Sequence, residues 1–153
     1  MKSASRFATG GSSWMSDPRW QTEITIEVPF HDVDMMGIVW HGNYARYFEI
    51  ARCALLDQID YNYLQMKDSG YAWPVIDMQI RYARPLTFQQ RVKVRAWIAE
   101  YENRLKIKFE IRDEATGERL SKGHTSQVAV CMPDGEMCFA SPDILLQKLG
   151  VDR

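Results

Sequence analysis

One long segment of the sequence has the periodicity of a helix, and the segments around it have that of strands. Between Gly42 and Ile59, apolar residues recur every three or four positions with charged residues between them. The apolar stripe is wide and begins with two aromatic rings, so this helix should be buried against a sheet along most of its length. One sheet wrapped around this helix is the most economical packing for such a chain.

The other patterned segments predict that sheet. They alternate or are rich in Val, Ile and aromatic residues, and the turns between the last three are short enough for hairpins. The predicted strands are 22–30, 72–82, 91–101, 104–112 and 119–132. A short helix is predicted at 61–69, and Ser141-Pro142-Asp143 is typical of the start of a C-terminal helix. We therefore predict an α+β fold, with an antiparallel sheet of about five strands wrapped around one long central helix.

The start of the chain differs from the rest in composition. Residues 1–18 begin with a segment rich in Ser, Gly and Ala that has neither helical nor strand periodicity, which predicts a flexible N-terminal extension. The total of 153 residues is the size of one ordinary domain that can bury a core without disulfides or metals. Residues 19–153 are therefore predicted to form a single domain.

Charge and cysteine content narrow the classes of partner. With 19 basic and 20 acidic residues, the chain offers no electrostatic reason to expect nucleic acid or an anionic membrane as a partner. No segment approaches 18 continuous apolar residues, so we expect no membrane span. Cys53, Cys131 and Cys138 are odd in number and lack metal-like spacing, which predicts free thiols, no metal site and a cytoplasmic location.

The loop between the first strand and the long helix carries a recognisable motif, HDVDMMGIVWHGNY. This segment resembles the 4-hydroxybenzoyl-CoA thioesterase family of hotdog proteins, whose pattern is Asp-x-Asp-x-x-Gly-x-Val-aromatic-(His/Tyr)-x-x-Tyr. The matching residues are Asp32, Asp34, Gly37, Val39, Trp40, His41 and Tyr44. The continuation from Tyr47 to Arg52 is more similar to the short-chain or broad-specificity acyl-CoA branch than to the aroyl branch. The resemblance, over about residues 22–132, implies a hotdog fold, hydrolysis of an acyl-CoA to free acid and CoA, and catalysis by Asp34.

The residue types in this loop suit that chemistry. A thioester carbonyl needs a nucleophile or general base at its carbon and hydrogen-bond donors at its developing oxyanion. Asp34 can serve as the nucleophile or as the general base, and the unpaired N–H groups of the first helical turn can serve as the donors. By its position in the family, the backbone N–H of His41 is expected to polarise the carbonyl, and its imidazole is a second catalytic candidate. Gly37 and Gly42 would let backbone approach a ligand or adopt positive φ.

Other residues near this loop have a structural and a functional interpretation. Asp32 is predicted to hold the loop in place. Asn43 would bind substrate or cap the helix, and Trp40 and Tyr44 would line an acyl pocket or belong to the core. Arg104 follows a hairpin turn at a place that resembles a basic position of the family. It is a candidate for contact with a CoA phosphate, with a solvated arginine as the alternative.

Several functions remain open from the sequence. The expected substrate is a thioester of CoA or of acyl-carrier protein, and no cofactor is expected because CoA is part of the substrate. A homo-oligomer, dimer or tetramer, is predicted because the outer face of the sheet would otherwise stay partly apolar, and the site would then lie between subunits. The rivals are a non-catalytic acyl-CoA or acyl-carrier-protein binding module, a dehydratase or hydratase using His41 with Glu49, and an oligomerising structural protein.

Overall fold

Eight strands and three α-helices make up the part of the chain that the computed structural model describes, residues 17–152. The strands are β1 (Gln21–Glu27), β2 (Tyr71–Ala72), β3 (Val75–Tyr82), β4 (Arg91–Glu100), β5 (Leu105–Asp113), β6 (Arg119–Gln127), β7 (Val130–Cys131) and β8 (Glu136–Met137). The helices are α1 (Tyr44–Gln58), α2 (Tyr63–Asp68) and α3 (Asp143–Leu149), and short 3-10 turns cover Pro18–Trp20, Phe30–Asp32 and His41–Asn43. The large sheet has the order β1-β4-β5-β6-β3 with every pair antiparallel, and β2, β7 and β8 form a small second sheet.

Helix α1 is buried on the inner face of the large sheet, as its wide apolar stripe predicts. Phe48, Ala51 and Leu55 of α1 are fully buried, and the Phe48 ring stacks on Phe109 of β5 with centroids 4.7 Å apart. Gly123 of β6 permits this contact, since a Cβ there would lie 2.7 Å from the Phe48 ring. The arrangement confirms the predicted hotdog fold of five antiparallel strands around one long helix.

The boundaries of several elements differ from those predicted. Helix α1 begins at Tyr44 instead of Gly42, because the preceding residues form a 3-10 turn, and it ends at Gln58. The predicted strand 72–82 is divided at Trp73–Pro74, since proline has no N–H to donate to a ladder. The predicted strand 119–132 likewise divides into β6 and β7.

The predicted N-terminal extension falls almost entirely outside the described residues. Of its residues, the structure includes only Asp17 and Pro18. The Asp17 side chain accepts a hydrogen bond from the Arg19 N–H and caps the first 3-10 turn, so these two residues belong to the folded part of the chain.

Exposed apolar surface lies at an edge of the sheet and not on its outer face. The outer face of β5 and β6 carries charged side chains, including Lys108, Glu110 and Lys122, so the predicted apolar outer face is wrong. Among the described residues, strand β3 is by contrast an edge strand that pairs only with β6, and its Ile76 and Met78 are 56% and 40% exposed. A row of unpaired backbone groups beside apolar side chains is a surface suited to pairing with another strand.

Two smaller predictions concern membranes and cysteines. None of the helices within residues 17–152 has the length and apolar character that crossing a membrane requires. Cys53, Cys131 and Cys138 are free thiols, as predicted, and the sulfur atoms of the last two lie 3.6 Å apart.

Candidate active site

The loop between β1 and α1 folds into a tight turn with Asp34 at its start. Val33 and Val39 pair as an isolated antiparallel bridge. Across the turn, the Asp34 N–H donates to the Ile38 carbonyl at 2.8 Å and the Gly37 N–H donates to the Asp34 carbonyl at 3.0 Å. Gly37 has φ +80°, a conformation that favours glycine, which gives this motif residue a role in the turn itself. The turn thus fixes the backbone of Asp34.

The Asp34 carboxylate is partly exposed and only half engaged. Its Oδ1 atom accepts a hydrogen bond from the Met36 N–H at 2.8 Å. Within residues 17–152, Asp34 has no ion pair and its Oδ2 atom has no hydrogen-bond donor. One carboxylate oxygen is therefore oriented by the turn while the other is available to water or to a ligand.

Asp32, two residues earlier, has the structural role that the sequence predicts. Its carboxylate is 3% exposed; Oδ2 accepts a hydrogen bond from the Tyr47 hydroxyl at 2.6 Å, and Oδ1 is paired with the Arg46 guanidinium. Burial, and then the hydrogen bond to Asp32, raise the pKa of Tyr47 well above its usual range. Asp32 therefore anchors the loop to α1 from a buried position.

The backbone of Asp32 also holds the start of the helix. Its carbonyl oxygen accepts hydrogen bonds from the Trp40 N–H and from the Asn43 side-chain amide, both at 3.0 Å. Asn43 makes no capping hydrogen bond with its side chain, so the predicted cap is wrong; its amide nitrogen donates within the loop, and its contact with substrate stays a prediction. These bonds bring the helix start close to the turn that carries Asp34.

The N–H groups of His41 and Gly42 are the donors that the helix start leaves unused. The Asn43 N–H donates to the Trp40 carbonyl at 2.9 Å, and the Tyr44 N–H donates to the His41 carbonyl. Among the described residues, those of His41 and Gly42 have no acceptor. Of the backbone donors predicted across the first turn, the N–H groups of His41 and Gly42 are thus the two that remain available among the described residues. Both precede the positive end of α1.

The His41 imidazole is exposed and lies among aromatic rings. Its centroid is 5.1 Å from that of Trp40 and 6.3 Å from that of Tyr82. The Tyr82 hydroxyl donates to the His41 carbonyl at 2.8 Å, which ties the helix start to the end of β3. Within the described part of the chain the imidazole makes no hydrogen bond with Asp34, so the two predicted catalytic side chains do not form a hydrogen-bonded pair.

Trp40 and Gly42 lie at the surface, whereas Tyr44 lies in the core. The Trp40 ring lies directly over Gly42, where a Cβ would come within 2.2 Å of a ring carbon, so Gly42 has a packing role as well as a free N–H. Trp40 is 51% exposed and remains available to a ligand. Tyr44 is buried with its ring 4.7 Å from that of Tyr82, and burial raises its pKa, which supports the interpretation of Tyr44 as a core residue; its contact with substrate stays a prediction.

Arg104 lies at the other end of the sheet. In the strand register, Leu105 pairs with Gln127, which pairs with Val75, whereas Tyr82 lies at the far end of β3. The length of β3 places these ends about 20 Å apart. Arg104 is paired with Glu100 at 3.2 Å, and the strand register separates it from the loop within the chain.

A large cavity on the other side of α1 was missed by the sequence reasoning. It has a volume of about 1070 Å³ and lies between the C-terminal half of α1, helix α2 and the small sheet. Its lining includes Leu56, Tyr63, Leu64, Met66, Trp73 and Val130. Its walls come from segments far apart in sequence, so local patterns do not reveal it. We name it the α1–α2 cavity.

Comparison with known proteins identifies the family. Residues 28–147 match the family described as the thioesterase-like superfamily, a segment that contains the loop, α1 and four of the five strands of the large sheet. The chain belongs to the thioesterase-like superfamily. The family resemblance predicted from the loop motif is thereby confirmed at the level of this superfamily.

Individual members of the superfamily are similar to this chain over different lengths. A protein of Bacillus subtilis named "Putative acyl-CoA thioesterase YneP" is 38% identical over 76 residues, which cover 50% of this chain and 55% of that protein. The chain thus spans about half the length of this curated relative. The structure of a DHNA-CoA thioesterase from Staphylococcus aureus is 29% identical with a TM-score of 0.71, covering 78% of this chain and 80% of that one. A 1,4-dihydroxy-2-naphthoyl-CoA thioesterase from Synechocystis, 17% identical with a TM-score of 0.76 over 85% and 96% of the two chains, shares the fold.

Proposed function

We propose that this protein is an acyl-CoA thioesterase, which hydrolyses a thioester to a free acid and CoA. The observation that carries the proposal is the half-engaged carboxylate of Asp34, held by a turn whose far end leads to the unused N–H groups of His41 and Gly42. A carboxylate and a pair of backbone donors are the two components that acyl transfer to water requires. Membership of the thioesterase-like superfamily supports the same reaction class.

Two chemical routes are compatible with Asp34. In the first, a carboxylate oxygen attacks the thioester carbon and the C–S bond breaks to release the CoA thiolate. Water then hydrolyses the mixed anhydride to the free acid, which regenerates the Asp34 carboxylate and supplies the proton that the thiolate takes up. In the second, Asp34 removes a proton from water as the water oxygen attacks the same carbon, and the proton passes to the departing thiolate. In both routes the N–H groups of His41 and Gly42 would stabilise the oxyanion, and neither route needs a cofactor.

The rival enzyme class receives less support from the geometry. A dehydratase would need the His41 imidazole paired with an acid such as Glu49. Glu49 is instead paired with Arg52, three residues along α1. We therefore assign the role of His41 to its backbone N–H, with its imidazole contributing less.

We further propose that the protein is a homodimer formed through β3, or a tetramer built from such dimers. The free edge of β3 and its exposed apolar side chains favour antiparallel pairing of two β3 strands about a two-fold axis. Such pairing would bring the Tyr82 end of one strand, where Tyr82 contacts His41 of the same copy, beside the Val75 end of the other strand. Arg104 of a second copy would then lie near the loop and remains our candidate for a CoA phosphate contact. Light scattering at micromolar concentration tests the dimer, and a monomer would contradict it.

The reaction is tested by incubating the protein with acyl-CoA thioesters and measuring the free thiol of CoA. Release of CoA with equal amounts of free acid supports the proposal. Stoichiometric binding without release would favour a non-catalytic binding module instead, and faster turnover of an acyl-carrier-protein thioester would change the carrier but not the reaction. A single turnover in ¹⁸O-labelled water separates the routes, because label enters the Asp34 carboxylate only if an anhydride forms.

A further inference from the structure

The α1–α2 cavity is apolar over most of its wall. Leu56 comes from α1, Leu64 and Met66 come from α2, and Trp73 and Val130 come from the segments of the small sheet. The charged side chains that border it include the Glu49–Arg52 pair, which is already neutralised. A cavity of this kind, of about 1070 Å³, has the size and character of a site for a sizeable apolar ligand.

Several of the polar groups in the wall already have partners within the protein. The Asn62 side chain accepts from the Gln65 N–H and donates to Asp57, as part of the capping box of α2. The Gln127 amide nitrogen donates to the Trp73 carbonyl at 2.8 Å, whereas its buried Oε1 atom has no hydrogen-bond partner among the described residues. The wall is still mainly apolar, so burying an acyl group with several hydroxyl groups there would be costly.

In the dimer proposed above, the cavity of one copy would lie beside the loop of the other. Along α1, Leu56 lies twelve residues from Tyr44, which is about 18 Å from the helix start of the same subunit. Trp73 and Pro74, however, line the cavity immediately before Val75, the end of β3 that the proposed dimer places beside His41 of the other copy. The thioester carbon at one loop would then have its acyl group directed into the cavity of the other subunit.

From these observations we infer that the acyl group is an aliphatic chain of medium or long length, and that the α1–α2 cavity binds it. The inference rests on the proposed thioesterase function. A compact aromatic acyl group would leave most of the cavity unfilled, and it would forfeit the contacts that apolar burial provides. Each further methylene group buried in the cavity raises kcat/KM by about fourfold, until the cavity is full.

The first test is a series of acyl-CoA substrates: acetyl, butanoyl, octanoyl, dodecanoyl and benzoyl. The inference predicts that kcat/KM rises steeply from acetyl to octanoyl or dodecanoyl and that benzoyl-CoA is a poorer substrate than octanoyl-CoA. A flat series, or a preference for benzoyl-CoA, overturns the inference while leaving the thioesterase proposal intact. Failure to hydrolyse every member overturns the thioesterase proposal instead.

The second test uses binding, so that it does not depend on turnover. Leu64 is 65% exposed on α2, so Leu64→Glu should fold while placing a carboxylate in the cavity wall. Phe139→Glu is the matched control, because Phe139 is 88% exposed and does not line the cavity. In an Asp34→Asn background, calorimetry should show that Leu64→Glu weakens dodecanoyl-CoA binding by about tenfold or more, the equivalent of two methylene contacts, with acetyl-CoA almost unaffected. Equal loss for both ligands, no loss for either, or the same loss in Phe139→Glu would overturn the assignment.

Discussion

The two aspartates of the loop should respond to the same substitution in opposite ways, and Asp32→Asn is the more informative of the pair. Asp32 is buried, whereas its partner Arg46 is 46% exposed and can be hydrated when the charge is removed. The hydrogen bond from the Tyr47 hydroxyl would change from a charge-assisted bond to a neutral one, at a cost of about 1 kcal/mol. An amide N–H would also face the Arg46 guanidinium without an acceptor, which adds about 1–2 kcal/mol.

Together these two effects lower the free energy of unfolding by about 2–3 kcal/mol, which is a large part of a typical domain stability but does not by itself unfold the protein. It should lower Tm by about 5–10 °C and reduce the urea midpoint with little change in slope. The backbone carbonyl of Asp32 still holds Trp40 and Asn43, so the turn should keep its form and kcat should fall by less than about tenfold. Thermal unfolding and CoA release, measured on the same preparation, check both parts. An Asp32→Asn protein with parental stability and no activity would refute the reasoning and make Asp32 the catalytic carboxylate.

Two further substitutions test the environment of the site and of the sheet. Gly42→Ala would place a Cβ where the Trp40 ring lies, so the indole must move. We expect kcat/KM to fall by about tenfold with little change in Tm. Unchanged kinetics would contradict the packing role of Gly42. Burial and the nearby Lys106 and Lys108 lower the pKa of His124, so the folded state binds its proton less readily than the unfolded state. The free energy of unfolding should therefore decrease as the pH falls below about 6.5, and His124→Gln should flatten this part of the pH profile in urea titrations. An unaltered profile in His124→Gln would assign the acid sensitivity to other groups.

The fold could be predicted from the sequence because its main elements are encoded locally. The stripe from Tyr44 to Leu55 and the alternation in β1 each need only a few neighbouring residues to be recognised. The motif also placed Asp34, Gly37 and His41 in one loop, because they are close in sequence. The boundaries were less predictable, since the 3-10 turn at His41–Asn43 depends on hydrogen bonds to Trp40 and Asp32.

The features of the candidate site that could not be predicted arise from contacts between distant segments. Tyr44 is a core residue because its ring meets Tyr82, and that contact requires β3 to end beside α1. Arg104 is remote from the loop within the chain because of the strand register, which a sequence of hairpins does not specify. The α1–α2 cavity depends on how α2 and the small sheet pack, so no local pattern could indicate it.

The most direct test of the account is the activity of Asp34→Asn. Asparagine keeps the size of the side chain and the oxygen that accepts from the Met36 N–H, so Tm should stay close to the parental value. The charge and the nucleophilic oxygen are lost, and kcat for acyl-CoA hydrolysis should fall by about 100- to 10,000-fold or more, whereas His41→Ala should cost far less. A folded Asp34→Asn protein that hydrolyses acyl-CoA at nearly the parental rate would contradict the proposed mechanism and make the His41 imidazole the next group to test.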